Sequence, residues 1–413
     1  MRPEKETGHT CAGSRPPFEV AHVFHRYGER YRQNHTLSHE HAWVMRQIVR
    51  CRTAELGGHK EKCRSCGFEK KAYNSCRNRH CPKCQNLSKE RWLHDRRAEL
   101  LPTGYFHLVF TLPHDLNPLI LCNKRTAFRG LFHAVNDTLQ SFARNPDWRI
   151  KGELGIIAVL HTWSQTLADH FHLHCLIPAG ALSPDGKQWN ASRKKFLFRA
   201  TSLAKAFKGR YLDKLEETYR QGELIFPGTL AAIETETGFA QLMAGLREKK
   251  WIVYAKRPFA GPEAVLAYLG RYTHRVAISN ERIIAMGEDK VSFAYKDRRD
   301  GNKRKIMTLD ACEFIRRFLL HVLPQGFMKI RYFGFLSNKK KQTSIALIRR
   351  LVGRKITLPE RKKENVRELM LRLTGKDIAL CPHCKKGILV TVELLKIREG
   401  SNPFMNEALF DSS

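Results

Sequence analysis

Phe171-His172-Leu173-His174-Cys175-Leu176-Ile177 is an apolar run that carries two imidazoles. Read as a strand, it alternates, sending His172 and His174 to one face and Leu173 and Cys175 to the other. Upstream, residues 154–163, which end in Leu160-His161-Thr162-Trp163, read as a second strand joined to the first by a short polar connection. Two such strands predict an antiparallel hairpin. The hairpin brings His161 alongside the His172 strand and makes it a candidate third metal ligand, with His170 and Gln165 as alternatives. Trp163 and Phe171 flank this place and are candidates either for stacking on bases or for the core.

Outward from the hairpin, Tyr105-Phe106-His107-Leu108-Val109-Phe110-Thr111-Leu112 predicts a strand stopped by Pro113. His107 and His114, near its end, read as ordinary surface histidines. Helical patterning is expected at 18–50, 89–101, 118–142 and 195–220, and short strands at 251–255, 276–286, 291–296 and 305–309, followed by a helix at 311–322. Strands and helices alternate irregularly around hairpins. The expected class is therefore α+β, an antiparallel sheet flanked by helices.

Lys plus Arg total 73 against 40 Asp plus Glu, a net charge of +33 over 413 residues, so a polyanion is the expected partner. No stretch of apolar residues is long enough to span a bilayer, which favours nucleic acid over membrane. Met1-Arg2-Pro3-Glu4-Lys5-Glu6 lacks the apolar core of a secretory signal, so a reducing cytoplasm is expected, with the protein on the nucleoid. There, the 12 cysteines favour metal over disulfides. Gly180 to Gln188 fails as a phosphate-binding loop, having one residue too many between its glycines and no Ser or Thr after Lys187.

Six cysteines lie between Cys51 and Cys84. Cys63/Cys66 and Cys81/Cys84 are paired knuckles of the kind that aim two thiolates each at one tetrahedral zinc. Cys51, His59, Cys76 and His80 are left over and make a second set of four, so one zinc or two are both compatible with the spacing. Cys381-Pro382-His383-Cys384 is a further knuckle, half a site awaiting another segment or another subunit.

Tyr268-Leu269-Gly270-Arg271-Tyr272 places two phenols one turn apart on a helix opened by Gly261-Pro262-Glu263. A tyrosine is a weak nucleophile at neutral pH, and a metal that withdraws charge from a phosphate makes it an effective one. Attack on DNA phosphorus would conserve the ester in a phosphotyrosine.

With the zinc module from Tyr73 to Cys84, the hairpin histidines and the paired tyrosines in place, the chain from Cys51 to about Leu336 resembles the two-tyrosine HUH transposases of rolling-circle insertion sequences, which carry an N-terminal transposase zinc-binding domain. The resemblance implies an HUH-endonuclease-like sheet with histidines on a central strand and tyrosines on a nearby helix. It implies that His172 and His174 bind a divalent ion, Mg2+ or Mn2+, and that Tyr268 and Tyr272 attack single-stranded DNA at the element's ends, leaving strand separation to host replication or a helicase. An all-imidazole site by itself favours a transition metal over magnesium. Two other readings stay open, a rolling-circle replication initiator or relaxase-like nickase, and a non-catalytic zinc-dependent DNA-binding regulator.

The expected division is a disordered terminus at 1–17, a helical segment at 18–50, a zinc-binding domain at 51–95, the nuclease domain at 100–280, a basic accessory region at 281–375, and a tail with the CPHC knuckle at 376–413. Arg271, Arg275, Lys303, Arg304 and Lys305 are the expected DNA contacts, within basic runs at 296–305, 338–341 and 349–363 that would follow backbone phosphates.

Overall fold

The computed structural model describes residues 16–148, 150–192, 196–259, 264–265, 270, 276–353 and 364–397. Its strands are β1 (Gly58–Cys63), β2 (Glu69–Tyr73), β3 (Tyr105–Thr111), β4 (Gly155–Trp163), β5 (Asp169–Pro178), β6 (Gly180–Leu182), β7 (Trp189–Ala191), β8 (Ile252–Phe259), β9 (Ile283–Gly287), β10 (Lys290–Asp297), β11 (Lys303–Asp310), β12 (Ile330–Gly334) and β13 (Leu389–Leu395). The main sheet runs β12-β4-β5-β3-β8 and is antiparallel at every junction. The protein is thus α+β with antiparallel sheets flanked by helices, as the hairpins in the sequence predict.

β4 and β5 are central, and the apolar content of each is nearly continuous because both of their faces are covered. One face of the sheet, with Leu108, Phe110, Leu160, Leu173 and Cys175, packs on the helices Lys124–Arg144 and Ala200–Arg220 in the largest core cluster. Cross-strand register sets the other face: Thr111, His172 and His161 form one row, and Val109, His174 and Val159 the next. Towards the far end of this second face, Tyr105, Ile157, Val159 and Leu176 are covered by Leu100, Leu101, Val265, Phe335, Ile345 and Ile348.

The edge strand β12 lies beyond the 100–280 span expected to hold the nuclease sheet. It ends at Gly334, whose φ of 61° is left-handed and whose missing Cβ would lie 1.7 Å from the Leu154 carbonyl oxygen. Gly334→Ala is expected to cost roughly 2–4 kcal/mol, read as a lowered midpoint in thermal unfolding.

β9, β10 and β11 form a second sheet, of which only the part from Ile283 onward realises the strand expected at 276–286. With the helix Ala311–Leu320 it encloses a core that also takes Val20, Phe24 and Tyr27 from the helix Val20–Asn34. Phe24 meets Phe318 edge-to-face at 5.2 Å. Leu167, buried in this same core, is left-handed at φ 62° in the turn between β4 and β5. The guanidinium of Arg317 donates to the Thr166 carbonyl at 3.2 Å and that of Arg282 to the Gln165 carbonyl at 2.5 Å. The tip of the histidine hairpin is therefore held by a body outside the main sheet.

The third sheet has the order β13-β1-β2, so the strand nearest the C-terminus lies beside the first of the zinc module, with Cys63 opposite Leu389. The segments expected as separate units at 51–95 and 376–413 share this one sheet. No helix among the described residues is long and apolar enough to cross a membrane.

Candidate active site

His161 on β4 and His172 and His174 on β5 offer ligand nitrogens that all lie within 4.8 Å of one another. The register explains the convergence: His161 stands directly opposite His172, and His174 is two residues further along on the same face. His172 Nδ1 donates to the His170 carbonyl at 2.7 Å, which leaves the Nε2 lone pair for a ligand. His174 Nδ1 lies 2.9 Å from Nε2 of His107, which is buried on β3. If His174 uses Nε2 toward a metal, its Nδ1 carries the proton and donates to His107.

His107 is thus not the surface residue expected. Its position on β3 puts it on the same face as His172 and His174, a relation that depends on which strands pair and in what register. Of the alternatives, Gln165 lies in the hairpin turn, and His170 is half-buried and stacks on His114 at 5.5 Å. Trp163 stacks on His161 at 5.1 Å, whereas Phe171 belongs to the core behind the sheet.

Burial pushes the imidazoles away from the charged form. His172 is held well below its ordinary value and His107 is pushed down to about 3, each first by burial and then by neighbouring cations or imidazoles. Three convergent imidazoles, of which His172 and His174 are held in the neutral form by burial, are a suitable donor set for a divalent ion, with the remaining positions left to oxygen ligands.

Other histidines share this depression: His321 and His41 are each lowered to about 4 by burial. Above pH 6.5 these rings are neutral in both folded and unfolded chains. Below it the unfolded chain takes up protons that the folded chain refuses, so stability falls until the folded values are reached. The thermal midpoint is expected to drop on the order of 5–10 °C between pH 7 and pH 5, measured by calorimetry in matched ionic strength.

Tyr268, Tyr272, Arg271 and Arg275 lie outside the described residues. Of their neighbours, Val265 is fully buried in the cluster that contains Val159 and Leu176, and Gly270 lies so close to Leu93 that a Cβ there would sit 2.8 Å from Leu93 Cδ1.

The cysteines assemble in two groups of four, Cys51/Cys76/Cys81/Cys84 and Cys63/Cys66/Cys381/Cys384. The two knuckles expected to share one ion are therefore apart. The reason is the β1–β2 hairpin: Cys63 and Cys66 sit at its turn, while Cys51 precedes β1 and Cys76 follows β2, at the open end. A six-residue strand separates those ends by about 20 Å. His59 and His80 stand outside both groups. Nε2 of His59 lies 3.3 Å from Glu61, and Nε2 of His80 accepts from the Leu323 amide at 3.4 Å.

In the first group, Sγ of Cys84 lies 3.5 Å from that of Cys51 and 3.6 Å from that of Cys76. Cys81 stands at the N-cap position of the helix Pro82–Arg97, whose positive N-terminal dipole favours thiolate at Cys84. Hydrogen bonds from Cys76 and Cys81 lower Cys51 to about 7, and those from Cys51, Cys76 and Cys81 hold Cys84 below the usual thiol range. Arg79, just before Cys81, donates to the carbonyls of Leu323, Pro324 and Phe327, tying this module to the chain entering β12.

Of the expected DNA contacts, Lys303 pairs with Asp300 at 2.8 Å, and Lys305 with Asp297 and Asp300 at 2.8 and 3.1 Å. Their charge is largely offset locally, whereas Arg304 is exposed.

In this strongly basic chain a zinc-binding module stands ahead of a histidine-bearing antiparallel sheet, and comparison with known proteins places the chain among the transposases. Residues 155–343 match a family model described as "Putative transposase", and residues 23–112 match one described as "Transposase zinc-binding domain". The chain is 47% identical over 379 residues to "Putative transposase y4qJ" of Sinorhizobium fredii, covering 91% of this chain and 95% of that one. It is 29% identical over 300 residues to "Transposase for insertion sequence element IS801" of Pseudomonas savastanoi pv. phaseolicola, covering 71% and 69% respectively. It belongs to the insertion-sequence transposases of the IS91/IS801 type. No solved structure matches it.

Proposed function

We propose that this transposase nicks and rejoins single-stranded DNA at the ends of a mobile element, using Tyr268 and Tyr272 as successive nucleophiles. The observation that carries the reading is the convergence of His161, His172 and His174 on one face of the sheet. His161, His172 and His174 would hold a divalent ion, manganese or magnesium, which would supply the positive charge that eases attack at phosphorus.

The chain's own groups do the rest. A tyrosine Oη bonds to the scissile phosphorus as its proton leaves, the bond to the 3′-oxygen breaks, and that oxygen departs as a 3′-hydroxyl. One phosphoester replaces another, so the strand can be rejoined without ATP. A second tyrosine lets a second strand be taken before the first is released. His107 positions His174, and Val265 and Gly270, which flank Tyr268, are packed on elements adjoining this face.

The Cys51/Cys76/Cys81/Cys84 group holds structural zinc in this reading. The module it organises and exposed cations such as Arg304 contact backbone phosphates, in a nucleoid-associated protein that takes single strands opened by host replication or a helicase.

The test incubates the protein with labelled single-stranded DNA from its own element's ends and Mn2+, then denatures. A protein–DNA adduct that survives denaturant is the expected result, and its absence across a series of divalent ions overturns the proposal. Adduct formation with nicking at a single site, and no joining of two ends, would instead indicate a replication initiator. DNA binding without any adduct would indicate a regulator.

A further inference from the structure

The zinc-binding match ends at residue 112, far short of Cys381 and Cys384. We propose that Cys63, Cys66, Cys381 and Cys384 form a second, separate zinc centre that joins the two ends of the chain into one ribbon.

The spacing of the sulfurs is that of ligands around one ion. Sγ of Cys63 lies 3.7 Å from that of Cys384, and Sγ of Cys66 lies 3.7 Å from that of Cys381. A tetrahedron with Zn–S bonds of about 2.3 Å has edges of about 3.8 Å. A disulfide would need roughly 2.05 Å.

The two knuckles repeat each other's backbone. The Gly67 amide donates to the Cys63 carbonyl at 3.1 Å, and the Lys385 amide donates to the Cys381 carbonyl at 2.9 Å. The Cys63 amide donates to Phe68 O and the Cys381 amide to Gly387 O, each at 2.8 Å. The residue after the second cysteine is left-handed in both, Gly67 at φ 72° and Lys385 at φ 57°. A lysine in that region costs of order 1 kcal/mol and persists only where its surroundings demand the turn. Amides also point at the sulfurs: Ser65 N donates to Cys63 Sγ at 3.4 Å and Gly387 N to Cys384 Sγ at 3.3 Å. Such bonds stabilise thiolates and leave their remaining lone pairs for a metal.

Gly387 closes the argument from packing. A Cβ there would lie 2.4 Å from Cys63 Sγ and 2.6 Å from Ser65 Oγ, so the second knuckle can approach the first only through a glycine. Nor can apolar burial hold the ribbon by itself, because among the described residues its core comprises Cys63, Cys381 and Leu389, with Phe68 and Cys384 partly buried against them. A lobe with so small a core needs a staple. Four thiolates in tetrahedral spacing select zinc or iron, and a site that serves as a staple rather than for electron transfer takes zinc.

The full chain, loaded with Co2+ in place of zinc, tests this. Both cysteine groups give sulfur-to-cobalt absorption, and Cys381→Ser/Cys384→Ser is expected to halve it and to lower zinc content by one ion per chain against wild type. Unchanged absorption and zinc content overturn the proposal, as does a native protein that carries iron at this site. Should the variant fail to fold, the wild type suffices. Cys66, which is exposed, and Cys384 are expected to react with an alkylating agent at least tenfold faster after chelation, with peptide mapping locating the label. Equal rates with and without chelator overturn the second centre.

Discussion

His172→Ala and His174→Ala should each lower formation of the covalent DNA adduct by roughly 10^3-fold, the scale of losing metal-assisted charge stabilisation at phosphorus. The cause would be loss of one of three convergent nitrogens, leaving His161 with only the remaining member of the His172/His174 pair. His107→Ala should cost less, about 10- to 100-fold, because His107 orients His174 without offering its own nitrogen to the group of three. The measurement is the single-turnover adduct rate against Mn2+ concentration, beside a filter assay of single-stranded DNA binding. Removing a ligand should raise the Mn2+ requirement while DNA binding survives. Wild-type adduct rates from both ligand variants would sink the assignment of the histidine face as the active site.

The second large effect concerns the tyrosines. Tyr268→Phe/Tyr272→Phe should abolish the adduct, a loss on the order of 10^4-fold or more, because phenylalanine keeps the ring and removes the nucleophilic oxygen. The single variants separate two roles. If the residues act in sequence, either one alone should still form an adduct with one strand but fail to join two ends. Sequencing of the peptide that retains labelled DNA identifies the attacking residue. A double variant that still becomes attached to DNA would place the nucleophile elsewhere in the chain.

The histidine face was largely legible before folding because its logic is local. Alternation within residues 171–177 and one hairpin are enough to bring His161, His172 and His174 together. His107 was not, since its contact with His174 exists only through the pairing of β3 with β5, a partnership no local pattern specifies. The cysteines show the same boundary from the other side. Spacing correctly marks each knuckle as a unit, yet which knuckles meet is decided by the hairpin that holds Cys63 away from Cys81 and by β13 returning beside β1. The expected DNA contacts rest on charge alone, and Asp297 and Asp300 beside Lys305 show how much of such a run can be spent on its own neighbours.

The sheet order β13-β1-β2 also carries a kinetic consequence. β1 emerges from the ribosome long before its partner β13, with Gly58 paired to Leu395 and Cys63 to Leu389, so this pairing is highly non-local and is formed late. The helix Val20–Asn34, partly covered by Val44, Met45 and Ile48, likewise waits for the strands and helix that follow residue 276 before the rest of its apolar stripe is covered. A nascent chain of this transposase should therefore pass through an interval in which β3, β4, β5 and β8 have already emerged while its N-terminal segments still expose apolar surface. That interval is where chaperone dependence and aggregation in overexpression should concentrate.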